Sequence, residues 1–117
     1  MAMDHEKLAT VAQAIYDKKG SDILCFDVRE IGGICDYVVI ATGSVDKHVK
    51  ALAREVEDQM RSKGEKVIFS EGFEEGRWIV LDFVGLIVHF LLPDTRDYYD
   101  LESLWKGGKI VDLRIEV

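Results

Sequence analysis

The chain has 117 residues, 48% of them apolar and 32% charged, which is ordinary globular composition and predicts one folded domain with a single core rather than disorder. Its 15 basic against 22 acidic residues leave a formal net charge of -7, which repels nucleic acid at long range and favours a basic protein partner. A direct, non-specific nucleic-acid binder is therefore disfavoured.

The opening residues, Met1 to Glu6, lack the basic and apolar regions of a secretion signal and the arginine-rich character of an organelle transit sequence. No uncharged apolar run reaches the ~18 residues that span a bilayer, so a soluble cytoplasmic protein is expected. Leu8, Val11, Ala12 and Ile15 follow at i, i+3, i+4 and i+7 and predict an amphipathic helix stopped by Gly20. Asp22 to Val28 reads as a strand, Gly32-Gly33 as a break, and Tyr37 to Ala41 as a strand buried on both faces. Cys25 and Cys35 both read as thiols in apolar strands, without CxxC spacing or a histidine pair, so two reduced cysteines are expected.

Ser44 is placed to cap the next helix, whose apolar stripe comprises Val45, Val49, Leu52, Ala53, Val56 and Met60 and which Gly64 closes. Lys47, Lys50 and Arg54 share another face of it, either as solvated charge or as a small basic stripe able to touch RNA. Strand patterns then run over Val67 to Phe69, Arg77 to Phe83 and Leu86 to Leu92. The last two are separated only by Val84-Gly85, which predicts an antiparallel hairpin. Pro93 ends that strand, and a helix capped by Asp94 is expected to run through Trp105, with Tyr98, Leu101 and Trp105 on one face. The remainder, from Lys106, is either an edge strand or a tail, with Leu113, Ile115 and Val117 on one side. The predicted architecture is an α/β domain, a mixed sheet of about five strands packed by helices, over residues 1–106, with 107–117 appended.

Alternation across the hairpin divides it into two faces. Ile79, Leu81, Phe83, Leu86, Val88 and Phe90 form an apolar core face. Trp78, Val80, Asp82, Ile87, His89 and Leu91 form a mixed face that serves either as packing or as a partner surface anchored by Trp78. Asp82 and His89 have no third ligand at a distinctive spacing, so no metal site is predicted. Gly43-Ser44 between a strand and a helix is where nucleotidyltransferases hold phosphate. Those enzymes pair carboxylates around two metals, and only Asp46 follows here, so a helix cap is preferred and no cofactor is expected.

Asp36-Tyr37-Val38-Val39-Ile40-Ala41-Thr42-Gly43-Ser44 followed by His48-Val49-Lys50-Ala51 resembles the first signature of the Iojap family of bacterial ribosomal silencing factors. Glu71-Gly72, Trp78, Leu81-Asp82, Val88-His89 and the run Arg96 to Trp105 are similar to the second. The resemblance extends from Glu6 to Trp105. It implies a nucleotidyltransferase-like topology without catalytic carboxylates, and a non-enzymatic protein, often a homodimer when free. Such a protein binds the large ribosomal subunit through universal ribosomal protein fourteen. It sterically blocks joining of the small subunit and represses translation under nutrient limitation. By motif position the implied contacts to the ribosomal protein are Trp78, Asp82, His89, Arg96, Tyr99 and Glu102. Family members commonly carry Gly-Asp where this chain has Val84-Gly85, so the resemblance assigns no contact to that turn. The competing expectations are an enzyme using Gly43-Ser44 and Asp82, and a homodimeric adaptor.

Overall fold

The structure is a computed structural model that describes residues 4–32 and 35–117. The reading of Met1 to Met3, and half of the Gly32-Gly33 break, lie outside the described residues. In chain order the elements are α1 (His5–Asp17), β1 (Ser21–Asp27), β2 (Tyr37–Thr42), α2 (Asp46–Ser62), β3 (Phe69–Glu71), β4 (Trp78–Phe83), β5 (Leu86–Leu91), α3 (Pro93–Tyr99), a 3-10 helix η1 (Leu101–Trp105) and β6 (Lys109–Ile110). The strands form one mixed sheet in the order β3-β4-β5-β2-β1-β6, with β2 and β5 parallel and the other pairs antiparallel. The sixth strand comes from the C-terminal residues, where Phe26 pairs with Ile110 and Asp27 with Lys109.

Helix α1 buries its predicted stripe, but Gly20 is not what stops it. Lys18 is the C-cap and Lys19 takes the left-handed conformation. Gly20 is required for space instead, because a Cβ there would lie 2.3 Å from Ile15 Cγ2. Ser44 does not cap α2 either. Val45 occupies the cap position without a side-chain bond, and the Ser44 amide instead donates to Nδ1 of His48 at 2.8 Å. Because Nδ1 accepts, Nε2 of the neutral ring bears the proton that Lys18 O receives at 2.7 Å. At the other end the expected glycine stop holds. Gly64, at φ 84, donates to Arg61 O and Glu65 donates to Met60 O, the two hydrogen bonds of a Schellman motif.

The hairpin pairs Phe83 with Leu86, Leu81 with Val88 and Val80 with His89, the register expected of a two-residue loop. Gly85 alone takes the positive φ, so Val84 avoids a conformation hostile to a branched side chain. β3 begins two residues later than its apolar pattern, at Phe69, although the Ile68 amide already donates to Asp82 O at 2.8 Å. Cys35 lies before β2 rather than in a strand, half-buried, while Cys25 is fully buried in β1 and burial pushes its thiol up to about 12.

The expected single helix from Asp94 to Trp105 is two elements. Leu92 is the N-cap, Pro93 supplies the preset φ of the first turn, and the chain breaks at Asp100, in the left-handed conformation, before η1 begins. The break puts Leu101 inward, whereas Tyr98 is 82% exposed, so Tyr98, Leu101 and Trp105 do not share a face. After β6, Leu113 is buried and Ile115 packs against the core. Gln13 of α1 ties down both the amide and the carbonyl of Glu116. Val117 does not follow Leu113 and Ile115 inward but is fully exposed.

Both faces of the sheet are apolar but they are covered unequally. Helices α1 and α2 pack on one side, against Cys25, Val39, Ala41, Ile79, Leu81, Phe83, Leu86, Val88 and Phe90, all essentially without solvent contact. On the other side Phe26, Val28, Val38, Ile40 and Leu91 are covered by Leu101 and Trp105 of η1. That short segment does not extend over β3 and β4.

Candidate functional site: the half-covered sheet face

The strand register lays the second face out as rows. Paired neighbours run Phe69, Asp82, Ile87, Val38, Phe26 and Ile110 in one row, then Glu71, Val80, His89, Ile40 and Leu24, then Trp78, Leu91 and Thr42. Towards β1 and β2 Phe26, Val38, Ile40 and Thr42 are buried and Leu24 is half-buried. Towards β3 and β4 they open, with Val80, Asp82 and Ile87 half-buried and Phe69 54% exposed. An apolar face left open in this way is an unusual expense for a small domain unless something binds it.

An aromatic cluster borders the opening. The Trp78 indole lies 6.0 Å from the His89 ring and 5.0 Å from Tyr99, while Trp105 lies 5.6 Å from the His89 ring, tilted 40° to it. Trp78 Nε1 donates to His89 Nδ1 at 3.1 Å. The half-buried tryptophan therefore has its N–H satisfied internally and presents ring surface outward, which suits an anchor for a desolvated contact. Burial lowers the His89 pKa to about 4, so at neutral pH the imidazole is uncharged and accepts the indole proton on Nδ1. Burial also raises the Asp82 carboxyl above the usual aspartate range.

Of the six side chains carried by motif position, four meet on this face: Trp78, Asp82, His89 and Tyr99. Arg96 and Glu102 lie beside it. Arg96 is only 7% exposed, with Nη1 donating to Asp22 O at 2.6 Å and Thr42 Oγ1 at 2.9 Å, and Nε donating to Glu102 Oε2 at 3.2 Å. Lys47 and Arg54 are exposed and Lys50 half-buried on α2, the layer behind the opposite face. One flat partner cannot take them together with Trp78.

Phe69, paired with Asp82, and Tyr98, edge-on to Tyr99 at 4.9 Å, enlarge the apolar surface around the cluster, and sequence reasoning did not place either of them in the site. The signal for Phe69 was its pairing with Asp82, which depends on a β3 to β4 register that a loop from Gly72 to Gly76 conceals. Tyr98 ends up exposed in α3 while Leu101, just past the break at Asp100, is buried, which a single continuous helix did not lead one to expect.

The enzymatic elements do not converge. Ser44 lies beyond Thr42, at the Trp78 end of the sheet, whereas Asp82 is level with Val38, four residues back from Thr42 and two strands across, so the offset along the strands alone is already more than roughly 13 Å at ~3.3 Å per residue. Gly43 is explained by packing, since a Cβ there would meet Val49 at 2.8 Å. Among the described residues no group of three or more His, Cys, Asp or Glu is gathered as for a metal ion, and no helix is long and apolar enough to cross a membrane.

Residues 2–116 match the family model described as ribosomal silencing factor during starvation. The chain belongs to the ribosomal silencing factor family. It is 42% identical over 106 residues to the ribosomal silencing factor RsfS of Bacillus subtilis, covering 91% of this chain and 90% of that protein. A mouse protein named mitochondrial assembly of ribosomal large subunit protein 1 is 30% identical over 73 residues, 60% of this chain and 32% of its own length. The fold matches the crystal structure of a Chromobacterium violaceum protein with a TM-score of 0.84 and 34% identity, over 97% of this chain and 95% of that one. The silencing factor fold is therefore that of this chain, and the names of its relatives indicate a ribosome-associated regulatory factor.

Proposed function

We propose that the chain binds the large ribosomal subunit through universal ribosomal protein fourteen, with the half-covered sheet face as its contact surface, and so blocks joining of the small subunit when nutrients are scarce. The observation that carries this reading is the open face itself, where Trp78, Asp82, His89 and Tyr99 combine apolar ring surface with acidic charge. Asp94, Asp97, Asp100 and Glu102 add to that charge on the neighbouring segment, and the chain as a whole is at -7. This suits a basic ribosomal protein better than RNA phosphate, with charge steering the encounter and the rings supplying the desolvated contact. The family description refers to starvation and the mouse relative is named for the large subunit. Repression by this route needs bulk at the subunit interface and no turnover. The same reading implies a cytoplasmic protein without membrane or DNA partners, which pairs with a second copy when free. It leaves Lys47, Lys50 and Arg54 as a secondary contact to ribosomal RNA.

Co-sedimentation with purified subunits tests the reading. The chain should pellet with large subunits and not with small ones, and its addition before mixing should reduce the yield of joined ribosomes. Equal binding to both subunits, or binding to neither, would contradict it.

A further inference from the structure

The segment that covers the second face, α3 with η1, is fastened to the sheet through one buried cation. Arg96 Nη1 reaches Asp22 O at the start of β1 and Thr42 Oγ1 at the end of β2, while its Nε reaches Glu102 in η1. A guanidinium has a planar fork of five donors and can serve three acceptors on three elements at once. A lysine ammonium, a point charge on a flexible stem, fits that geometry poorly. The backbone of Arg96 contributes as well, because its carbonyl accepts the Asp100 amide at 2.9 Å, closing α3 where the chain bends into η1. Tyr99 stands immediately before that bend and Trp105 at the end of η1, and these are the rings set against Trp78 and His89.

We propose that Arg96 is a positioning residue for the partner face: by tying η1 to β1 and β2 it holds Tyr99 and Trp105 against Trp78 and His89, and acts on binding through those rings rather than by touching the partner. At 7% exposure it has almost no surface of its own to offer. The effect on binding rests on the function proposed above, whereas the effect on the rings does not.

The chain has two tryptophans, Trp78 and Trp105, and both belong to this cluster, so intrinsic emission reports on it directly. Arg96→Met keeps the volume of the side chain and removes every donor. In the free protein it should shift the tryptophan emission while the far-ultraviolet circular dichroism of the sheet and long helices is retained. Binding to large subunits should weaken about tenfold, because rings no longer held in place must be ordered at the moment of binding. In a Trp105→Ala background the same substitution should weaken binding far less, since residues acting through one another are not additive. Arg96→Lys should recover little. Unchanged emission with weakened binding, or additive losses in the double variant, would mean that Arg96 meets the partner itself and would overturn the proposal, as would unchanged binding. If Arg96→Met does not fold, Glu102→Ala cuts the same tie from the η1 side, and an unchanged emission there would overturn it equally. Failure of the wild type to bind large subunits would instead remove the functional reading, with the emission measurement still deciding whether Arg96 sets the rings.

Discussion

Replacing Trp78 by alanine should weaken binding to large subunits by about 2 kcal/mol or more, the range of an aromatic anchor at the centre of an interface, or roughly 30-fold in dissociation constant. The expectation follows from position rather than from residue type alone. Trp78 begins β4 on the half-covered face, touches the rings of Tyr99 and His89, and has its N–H already bonded to His89 Nδ1. Alanine there removes ring surface that a partner would cover and also leaves the buried Nδ1 without its donor. Trp78→Phe keeps one ring beside Tyr99 while losing the N–H and the second fused ring. Its loss of binding should be the smaller. Titration of labelled large subunits with each variant measures both. Equal binding by wild type and Trp78→Ala would remove Trp78 from the contact.

The second large effect is on stability and depends on pH. His89 titrates near 4 in the folded chain because burial disfavours its charge, against about 6.5 for an unperturbed histidine. Between those values the unfolded chain takes up a proton that the native chain refuses, so stability falls as pH drops from about 6.5 to about 4 and this group contributes no further loss below that. Over the window the loss is about 3 kcal/mol. Two carboxylates act differently and can be told apart. Asp27, held down to about 2 chiefly by its hydrogen bond from Arg29, loses its contribution only at lower pH. Asp82, raised by burial, has the opposite sign, because the native chain holds that proton more tightly and gains stability as pH falls through its folded value. Urea midpoints at several pH values for wild type and His89→Asn isolate the histidine, since asparagine keeps an acceptor near the place of Nδ1 but does not titrate. The difference between the two curves should slope between pH 6.5 and 4 and flatten below. A flat difference across that window would show that His89 is not held neutral by its surroundings.

Much of the half-covered face is legible in the sequence, for a specific reason. A gap of two residues between two alternating apolar runs leaves the hairpin little choice of register, and the register decides that Trp78, Asp82 and His89 share a face. What could not be read depends on contacts distant in sequence. Arg96, three residues after a proline in an acidic segment, has the pattern of a solvated side chain. Its burial depends on acceptors 74 and 54 positions away, Asp22 O and Thr42 Oγ1. The break at Asp100 is similar, because nothing in the run from Pro93 to Trp105 forbids a continuous helix, and it is the burial of Leu101 beneath the segment that the bend accommodates. The cap of α2 was misplaced because a serine before a helix is a strong local signal, whereas His48 takes the Ser44 amide only as its other ring nitrogen is held by Lys18 O across the chain. The edge strand β6 was undecidable by alternation, since two residues carry no period and their pairing with β1 is set by the sheet.

The reading stands or falls on which side of the sheet faces the ribosome. Amide hydrogen exchange of the chain, free and bound to purified large subunits, measures this directly. Binding through the half-covered face should slow exchange most in β3, β4, α3 and η1 and leave the outer surface of α1 unchanged, with any protection in α2 confined to the stretch from Lys47 to Arg54. Protection confined to α1 and α2, with β4 and η1 exchanging as in the free chain, would contradict the account.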